Sequence, residues 1–182
     1  IKMVKPKSLY VAADGYRESR PNEKELCIQT RDIIKGIDWE CEVKTLFRDK
    51  NLGCKVAVSE AISWFFDNVN EGIIIEDDCL PNKSFFYFCQ TLLEKYRNDD
   101  RVMQIGGVNF QDGNKRSDGS YFFCRKNHIW GWATWKRSWQ KYDVKISNYP
   151  KFKESNQLKY IFKNERMNEI LYKKFDEVYE NR

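Results

Sequence analysis

Short apolar segments alternate with amphipathic segments along the first hundred residues. The apolar runs, bounded by turn-forming residues, predict strands at Ser8–Ala13, Glu42–Phe47, Gly72–Ile75 and Val102–Ile105. Apolar positions at helical spacing predict helices at Pro21–Ile37, Cys54–Asn68 and Ser84–Tyr96. Strands that alternate with helices indicate an α/β architecture.

The third predicted strand decides the kind of sheet we expect. In Gly72–Ile75 the apolar residues are consecutive rather than alternate, which indicates burial on both faces. That pattern is typical of parallel strands covered by helices. The sequence therefore predicts a mostly parallel central sheet flanked by helices.

The rest of the chain carries weaker signals. A polar, Gly-rich loop is predicted from Asp112 to Gly119, with another strand at Tyr121–Cys124 and a lysine-rich helix beyond Trp139. We therefore expect a main domain over residues 1–144 and a helical C-terminal extension of it over residues 145–182.

Length and composition fit this picture. The chain has 182 residues, a mean hydropathy of -0.75 and 15% aromatic residues, enough for the core of one domain. No apolar run approaches the ~20 residues of a membrane-spanning helix. The chain opens on Ile1 and stops in a helical pattern, so we expect a piece of a longer protein, truncated at one or both ends.

The cysteines and the single histidine limit the redox and metal chemistry. With one histidine and no pair of its six cysteines two or three apart, the chain is a poor candidate for a zinc site. Several cysteines stand in apolar or helical surroundings, which favours free thiols over a disulfide framework. We therefore expect a cytoplasmic location, with a membrane-peripheral one left open for the longer protein.

The net charge of +5 raises the question of a nucleic-acid partner. Residues 145–182 hold nine Lys/Arg and six Asp/Glu, so the acids dilute the basic residues there. A nucleic-acid binder usually gathers its basic residues in one stripe. The pattern favours a solvated helical face, and we expect no nucleic-acid partner.

The most informative segment is the acid triplet Glu76, Asp77 and Asp78, directly after the predicted buried strand. In open α/β sheets, ligands bind beyond the carboxyl ends of the strands. Adjacent carboxylates repel one another, and Mn²⁺ or Mg²⁺ is a natural partner because these cations prefer oxygen ligands and leave positions open for phosphate oxygens. The alternative is an acidic loop that faces water.

Four segments together carry a resemblance to a known family. They are Glu76-Asp77-Asp78-Cys79-Leu80-Pro81, Ser84-Phe85-Phe86-Tyr87-Phe88, Val102 to Asn109, and Trp130-Gly131-Trp132-Ala133-Thr134-Trp135. In this order and spacing they resemble the GT-A nucleotide-diphospho-sugar glycosyltransferases. The likeness, from about Leu9 to Tyr142, is strongest to the branch of N-acetylglucosaminyltransferase I and its bacterial, haemolysin-like relatives.

The resemblance implies a DXD-like donor site. It implies that Asp78 binds the metal, that Asp77 contacts the ribose or the donor sugar, and that Glu76 contacts the donor sugar. It also implies that Asp14 meets the uracil or ribose and that Lys55 lies near the nucleotide. For Asp14 the alternative is a turn-forming Asp-Gly pair, and for Lys55 an ordinary lysine at a helix start.

The implied activity is metal-dependent transfer of a sugar from a nucleoside-diphosphate sugar, a UDP-sugar above all, to an acceptor hydroxyl with inversion. Such a reaction needs a general base for the acceptor proton. The family has an aspartate just after the Gly106-Gly107 turn, where this chain has Phe110 and Gln111. Asp112 is the best candidate, and an ordinary turn residue is the alternative.

The tryptophan block offers candidates for the acceptor side, because indole faces suit the apolar face of a sugar. Trp132, Trp135 and Trp139 fall three and four apart, the spacing of a buried helix face. We assign Trp135 and Trp139 to the core and keep Trp130 and Trp132 as acceptor-side candidates for a carbohydrate or glycoconjugate. For His128 a second metal-ligand role is open, against an ordinary hydrogen-bonded histidine.

The chain also departs from the family. The family begins with a strand and loop that hold the base, and residues 1–7 are too short for that unit. We therefore expect a domain without its first strand, which binds donor poorly and turns over slowly or not at all. Two other readings stay open: a non-catalytic carbohydrate- or partner-binding domain on the same fold, and a nucleotidyltransferase, for which a Gly-rich triphosphate loop is missing.

Overall fold

The structure is a computed structural model that describes residues 1–115 and 117–180. Its contacts divide the chain into two units. The first unit comprises residues 1–118 and 127–140, and the second comprises residues 119–126 and 141–182. The predicted boundary between residues 144 and 145 falls inside the second unit.

The first unit begins with a parallel strand pair. Strands β1 (Ser8–Ala13) and β2 (Glu42–Phe47) pair in register from Ser8 opposite Glu42 to Ala13 opposite Phe47. The connection between them contains helix α1 (Glu23–Asp32) and a 3₁₀ turn (Ile33–Gly36). A helical connection between parallel strands is what the alternation of strands and helices predicts.

A second sheet contains the three remaining strands. They are β3 (Glu71–Ile74), β4 (Ile105–Gly106) and β5 (Trp132–Trp135). Strand β5 lies in the centre and is antiparallel to both neighbours. Strands β3 and β4 therefore run in the same direction on either side of it.

The mixed α/β class is confirmed, but the sheets differ from the predicted mostly parallel central sheet. Among the described residues the strands form a two-stranded parallel sheet and a three-stranded antiparallel one. The apolar run in β3 still has a physical reason, because β3 contacts helix α3 (Lys83–Lys95) and Phe65 lies directly over Gly72. Burial by helices does not determine the direction of the neighbouring strand.

Helix α3 supplies most of the core around β5. The side chain of Asn82 caps its first turn by accepting a hydrogen bond from the Phe85 amide (3.1 Å). Its buried residues share one face, at Phe85, Phe86, Cys89, Leu92 and Leu93. Trp135, 1% exposed, packs beside this face and donates its indole N–H to the Leu93 carbonyl (3.2 Å). Burial raises the pKa of the Cys89 thiol to about 12, so this cysteine is a core residue without nucleophilic character.

Helix α2 (Cys54–Asn68) packs against both sheets of the first unit. Phe65 contacts Tyr10 of β1, with ring centroids 5.1 Å apart, and also covers Gly72 of β3. Ile62 and Phe66 form a buried cluster with Trp132, against which Trp139 of helix α4 (Lys136–Trp139) packs. One helix thus fixes both sheets in place.

The second unit is helical. The predicted lysine-rich helix is divided into α5 (Tyr149–Glu154), α6 (Leu158–Ile161) and α7 (Glu165–Glu180). The predicted strand at Tyr121–Cys124 is absent, and that segment is irregular. All six cysteines are free thiols. Within residues 1–115 and 117–180, no helix is both long enough and apolar enough to cross a membrane.

A buried tyrosine connects α5 to α7. The hydroxyl of Tyr149, which is 7% exposed, donates to Asp176 Oδ1 (2.7 Å) and lies 3.0 Å from the Tyr172 carbonyl oxygen. Lys153 Nζ lies 2.6 Å from the same Asp176 oxygen. Burial first, and then the Asp176 carboxylate, raise the pKa of Tyr149 above its usual range.

This network predicts an alkaline loss of stability. Because the pKa is raised in the folded state, the stabilisation is complete below the unfolded pKa of about 10 and decreases as the pH rises above it. We expect Tyr149→Phe to lower the free energy of unfolding by about 1–2 kcal/mol at pH 7 and to weaken the alkaline decrease. Urea denaturation between pH 7 and pH 11 measures both. Tyr160→Phe, at a 68% exposed tyrosine of the same unit, is the control, and an equal effect in both variants would contradict the prediction.

Candidate functional site

Three loops leave the same edge of the three-stranded sheet. Ile74 at the end of β3 and Gly106 at the end of β4 both lie opposite Trp132, the first residue of β5. The acid triplet after β3, the turn after β4 and the loop before β5 are therefore neighbours. Since adjacent strands lie about 5 Å apart, β3 and β4 are separated by about 10 Å at this edge.

The acid triplet follows β3 after one residue, as the sequence indicates. Glu76 is half-buried, whereas Asp77 and Asp78 are exposed in a turn in which the Cys79 amide donates to the Glu76 carbonyl (3.1 Å). The Cys79 thiol lies 3.6 Å from Asp78 Oδ1. Within the described ranges, no lysine, arginine or histidine forms an ion pair with any of the three carboxylates. Among the described residues, no basic side chain therefore compensates the negative charge of the triplet by an ion pair.

The donor set near Asp78 determines which kind of metal site fits. The described part of the chain contains no group of three or more His, Cys, Asp or Glu side chains that could hold a metal ion. A metal enclosed by protein ligands alone does not fit this arrangement. A hard divalent cation that takes one carboxylate oxygen and completes its shell with water and phosphate oxygens does fit.

Asp14 has a structural task at the end of β1. Its Oδ1 accepts hydrogen bonds from the amides of Gly15 (2.8 Å) and Leu52 (2.9 Å), and its Oδ2 accepts one from Gly53 (3.0 Å). Gly15 is needed here, because a Cβ at this position would lie 2.3 Å from the carbonyl carbon of Lys50. Asp14 therefore holds the loop before α2 against the end of β1, and a nucleotide contact remains a prediction.

Lys55 is the second residue of α2 and is exposed. The helix begins after Gly53, whose φ of 76° is a left-handed conformation, and no side chain caps its first turn. Lys55 adds a positive charge at this end of the helix, where the Asp14 carboxylate already accepts a hydrogen bond from the Gly53 amide. Asp14 and Lys55 thus lie on either side of the loop that leads into α2. Among the described residues, no hydrogen bond or ion pair links them to the acid triplet.

Three aromatic side chains gather at the same sheet edge as the acids, and we call them the aromatic platform: Phe110, His128 and Trp130. The rings of Phe110 and His128 have centroids 4.9 Å apart, and those of Phe110 and Trp130 are 6.3 Å apart. Phe110 is 57% exposed and Trp130 is 63% exposed. The platform presents a wide aromatic surface to the solvent.

Hydrogen bonds hold the platform in place. The Gly107 amide donates to the Gly131 carbonyl (2.8 Å), and the Gln104 side-chain amide donates to the His128 carbonyl (2.8 Å). Asn127 in turn donates to Gln104 Oε1 (2.7 Å). The loop before β5 is therefore fixed to the segment around β4. His128 packs against Phe110, and its role as a second metal ligand stays a prediction.

The two tryptophans named for the acceptor side have different environments. Trp130 is exposed on the platform, whereas Trp132 is 7% exposed in the core cluster with Ile62 and Phe66. The expected helix face at residues 132–139 does not form, because residues 132–135 are strand β5. A strand turns alternate residues to opposite faces, and both faces of β5 are buried. The acceptor-side assignment is therefore kept for Trp130 only.

Asp112 lies at the tip of an exposed turn. Its φ is 50° and that of Gly113 is 79°, and the Asn114 amide donates to the Gln111 carbonyl (2.8 Å). This geometry is that of an ordinary Asp-Gly turn. Asp112 follows Phe110 by two residues, so it is close to the platform in sequence. Its role as a base stays a prediction.

The structure adds one residue that sequence reasoning missed. In the sequence, Phe110 is conspicuous only because it stands where the resembling family has an aspartate, yet its ring contacts both His128 and Trp130. Its partners lie 18 and 20 residues further along the chain, beyond any helical or strand period. The antiparallel pairing of β4 with β5 brings them together.

Comparisons of the chain with models of protein families, with curated proteins and with solved structures found no match. The motifs and the geometry of this sheet edge are therefore the observations that bear on function.

Proposed function

We propose that the chain is the catalytic part of a GT-A-type, metal-dependent glycosyltransferase that uses a nucleoside-diphosphate sugar, preferably a UDP-sugar. One observation carries the proposal. A triplet of carboxylates without a cationic partner among the described residues lies at the same sheet edge as an exposed aromatic platform. The first feature suits a cation with a diphosphate, and the second suits a sugar ring.

The residues take the following roles in the proposal. Asp78 holds Mn²⁺ or Mg²⁺ together with the diphosphate, while Asp77 and Glu76 accept hydrogen bonds from donor hydroxyls. Lys55 and the first turn of α2 attract the phosphates, and Asp14 keeps the loop before α2 in place for the nucleoside. Trp130 and Phe110 stack against the acceptor sugar.

The reaction breaks the bond between the anomeric carbon and the phosphate oxygen and forms a bond from that carbon to the acceptor oxygen. Asp112 takes the acceptor proton, and the electron pair of the broken bond leaves with the nucleoside diphosphate. The chemistry that a bound cation supplies is neutralisation of the charge on this leaving group. Attack from the face opposite the diphosphate gives inversion.

The proposal predicts donor binding that depends on both metal and Asp78. Calorimetric titration with UDP and with UDP-sugars, with and without Mn²⁺, measures this dependence. We expect Asp78→Asn to weaken Mn²⁺-dependent binding at least ten-fold, because the isosteric amide loses the charge that faces the cation. Asp67→Asn, at an exposed aspartate of α2, is the matched control and should bind like the wild type. Binding that needs no metal and survives Asp78→Asn contradicts the proposal.

A second function has its own observation. The aromatic platform is complete without any contribution from the acids, and Asp112 lies in an ordinary exposed turn. A non-catalytic carbohydrate-binding domain would need no more than this. Sugar transfer or donor hydrolysis that is lost in Asp112→Asn excludes this second function. Carbohydrate binding that persists in Asp78→Asn, in a wild-type chain that binds neither UDP nor UDP-sugars in the presence of Mn²⁺, supports it.

A further inference from the structure

The net charge of the chain lies entirely in the second unit. The sequence of that unit contains twelve Lys/Arg and seven Asp/Glu, which gives +5. The sequence of the first unit contains twenty of each, so its net charge is zero. A positive charge confined to one small unit attracts anionic partners to that unit alone.

The second unit also exposes large aromatic side chains next to its cations. Phe122 is 57% exposed, Phe123 is 67% exposed and Tyr160 is 68% exposed. Arg125 donates hydrogen bonds to the backbone carbonyls of Ile161 and, at 3.5 Å, of Tyr160, which joins the segment 122–125 to the end of α6. We call this set, together with Lys159, the basic-aromatic surface.

The cations of this surface keep their charge available. Arg125 uses its N–H groups on neutral carbonyls, and Lys159 lies over the ring of Tyr160, 4.9 Å from its centroid. Within the described ranges, neither of them, nor the neighbouring Lys126 and Lys163, forms an ion pair with a carboxylate. The ion pair that is found in the described part of this unit, Lys153 with Asp176, belongs to the α5–α7 network.

We propose that the basic-aromatic surface binds the headgroup region of an anionic lipid bilayer. Lysine and arginine are attracted to anionic headgroups, and aromatic rings sit at the boundary between headgroups and acyl chains. Phe122 and Phe123 are adjacent on an irregular segment and have no polar atom in their side chains, so their transfer from water into the acyl boundary is favourable. A nucleic acid would offer bases for stacking as well as phosphates, but the twelve basic residues of this unit are interspersed with seven acidic ones rather than gathered in one stripe, which favours a bilayer. This proposal is independent of the glycosyltransferase function.

Sedimentation with lipid vesicles tests the proposal on the full chain. We expect binding to vesicles of phosphatidylcholine with phosphatidylserine, little binding to phosphatidylcholine alone, and weaker binding at high salt. Phe122→Ser combined with Phe123→Ser should weaken binding at least ten-fold, and Lys159→Glu several-fold. Leu26→Ser, at a 58% exposed apolar residue of the first unit, is the matched control and should leave binding unchanged.

Each other outcome overturns the proposal. Equal vesicle binding by the double variant and the wild type would show that the basic-aromatic surface does not bind the lipid. Equal binding to neutral and anionic vesicles would show that charge does not contribute to binding. Single-stranded RNA that displaces the protein from vesicles, and binds less well to the double variant, assigns the surface to a nucleic acid. A dimer in the wild type that the double variant lacks assigns it to a second copy. Circular dichroism and urea denaturation of the double variant confirm that it is folded.

Discussion

Replacement of Arg137 by alanine is expected to lower the free energy of unfolding of the first unit by about 3 kcal/mol. The guanidinium joins the end of α3 to the turn that follows it. Its Nε donates to the Arg97 carbonyl (2.9 Å), and one terminal nitrogen faces three further carbonyl oxygens at 2.9–3.1 Å, those of Tyr96, Asp99 and Val102. The alanine variant removes all four contacts. The Arg97 and Val102 oxygens lose their donor, whereas the Tyr96 and Asp99 oxygens keep a backbone amide as a donor.

Arg137 also packs against the core. Its guanidinium lies over the Trp135 ring, 4.4 Å from the centroid, so the variant loses this stacking as well. Arg137→Lys keeps the charge but not the planar fork, and we expect it to lose about 2 kcal/mol, most of the alanine effect. A lysine variant with wild-type stability would show that charge, rather than the set of carbonyl contacts, determines the effect.

Arg97 provides a matched control for this experiment. It forms two hydrogen bonds of 2.8 Å with Glu71, but its side chain is 54% exposed. An exposed ion pair of this kind contributes about 0–1 kcal/mol. We therefore expect Arg97→Ala to cost at most about 1 kcal/mol in the same urea denaturation. Equal losses in the two alanine variants contradict the assignment of the main stabilising role to Arg137.

The local elements of the first unit could be predicted well from the sequence. The bounds of β1, β2 and α2 agree with the apolar pattern, and α3 is shifted by one residue. The exception is β4 (Ile105–Gly106), which overlaps the predicted strand Val102–Ile105 only at Ile105. These elements depend on contacts within a few residues, such as the cap at Asn82 and the buried positions of α3. The spacing of apolar residues along the sequence indicates such local contacts.

The pairing of strands could not be predicted in the same way. The direction of β5 relative to β3 depends on a chain reversal some sixty residues later, and no local pattern contains that information. Trp132 and Trp135 illustrate the problem, because a spacing of three fits both a helix face and the two faces of a fully buried strand. Only the surrounding core decides between them.

The same difference between local and long-range information applies to the candidate site. The position of Asp78 just after a buried strand follows from the sequence, because it needs only the end of one element. The aromatic platform does not, because Phe110 meets His128 and Trp130 only through the pairing of two strands. Functional side chains within one loop are thus easier to find than those that tertiary structure brings together.

Two adjacent glycines provide the sharpest test of how that platform is held. A Cβ on Gly107 would lie 2.3 Å from a ring carbon of Phe85 and 2.6 Å from the Gly131 carbonyl oxygen. A Cβ on Gly106 would have its nearest neighbour, the His128 carbonyl oxygen, at 4.0 Å. The same added methyl group is therefore accommodated at one position and excluded at the next.

We expect Gly107→Ala to lower the free energy of unfolding by about 2–3 kcal/mol. Phe85 is buried and the Gly131 oxygen belongs to the backbone, so neither can move away from the added methyl group at low cost. The hydrogen bond from residue 107 to Gly131 should break, which releases the loop that carries His128 and Trp130. Urea denaturation measures the first effect, and faster hydrogen exchange of the amides in residues 127–131 measures the second. Gly106→Ala should change stability by no more than about 0.5 kcal/mol and leave exchange as in the wild type. If both variants behave alike, close packing at Gly107 does not hold the platform, and the hydrogen bonds of Gln104 and Asn127 must be sufficient to hold it.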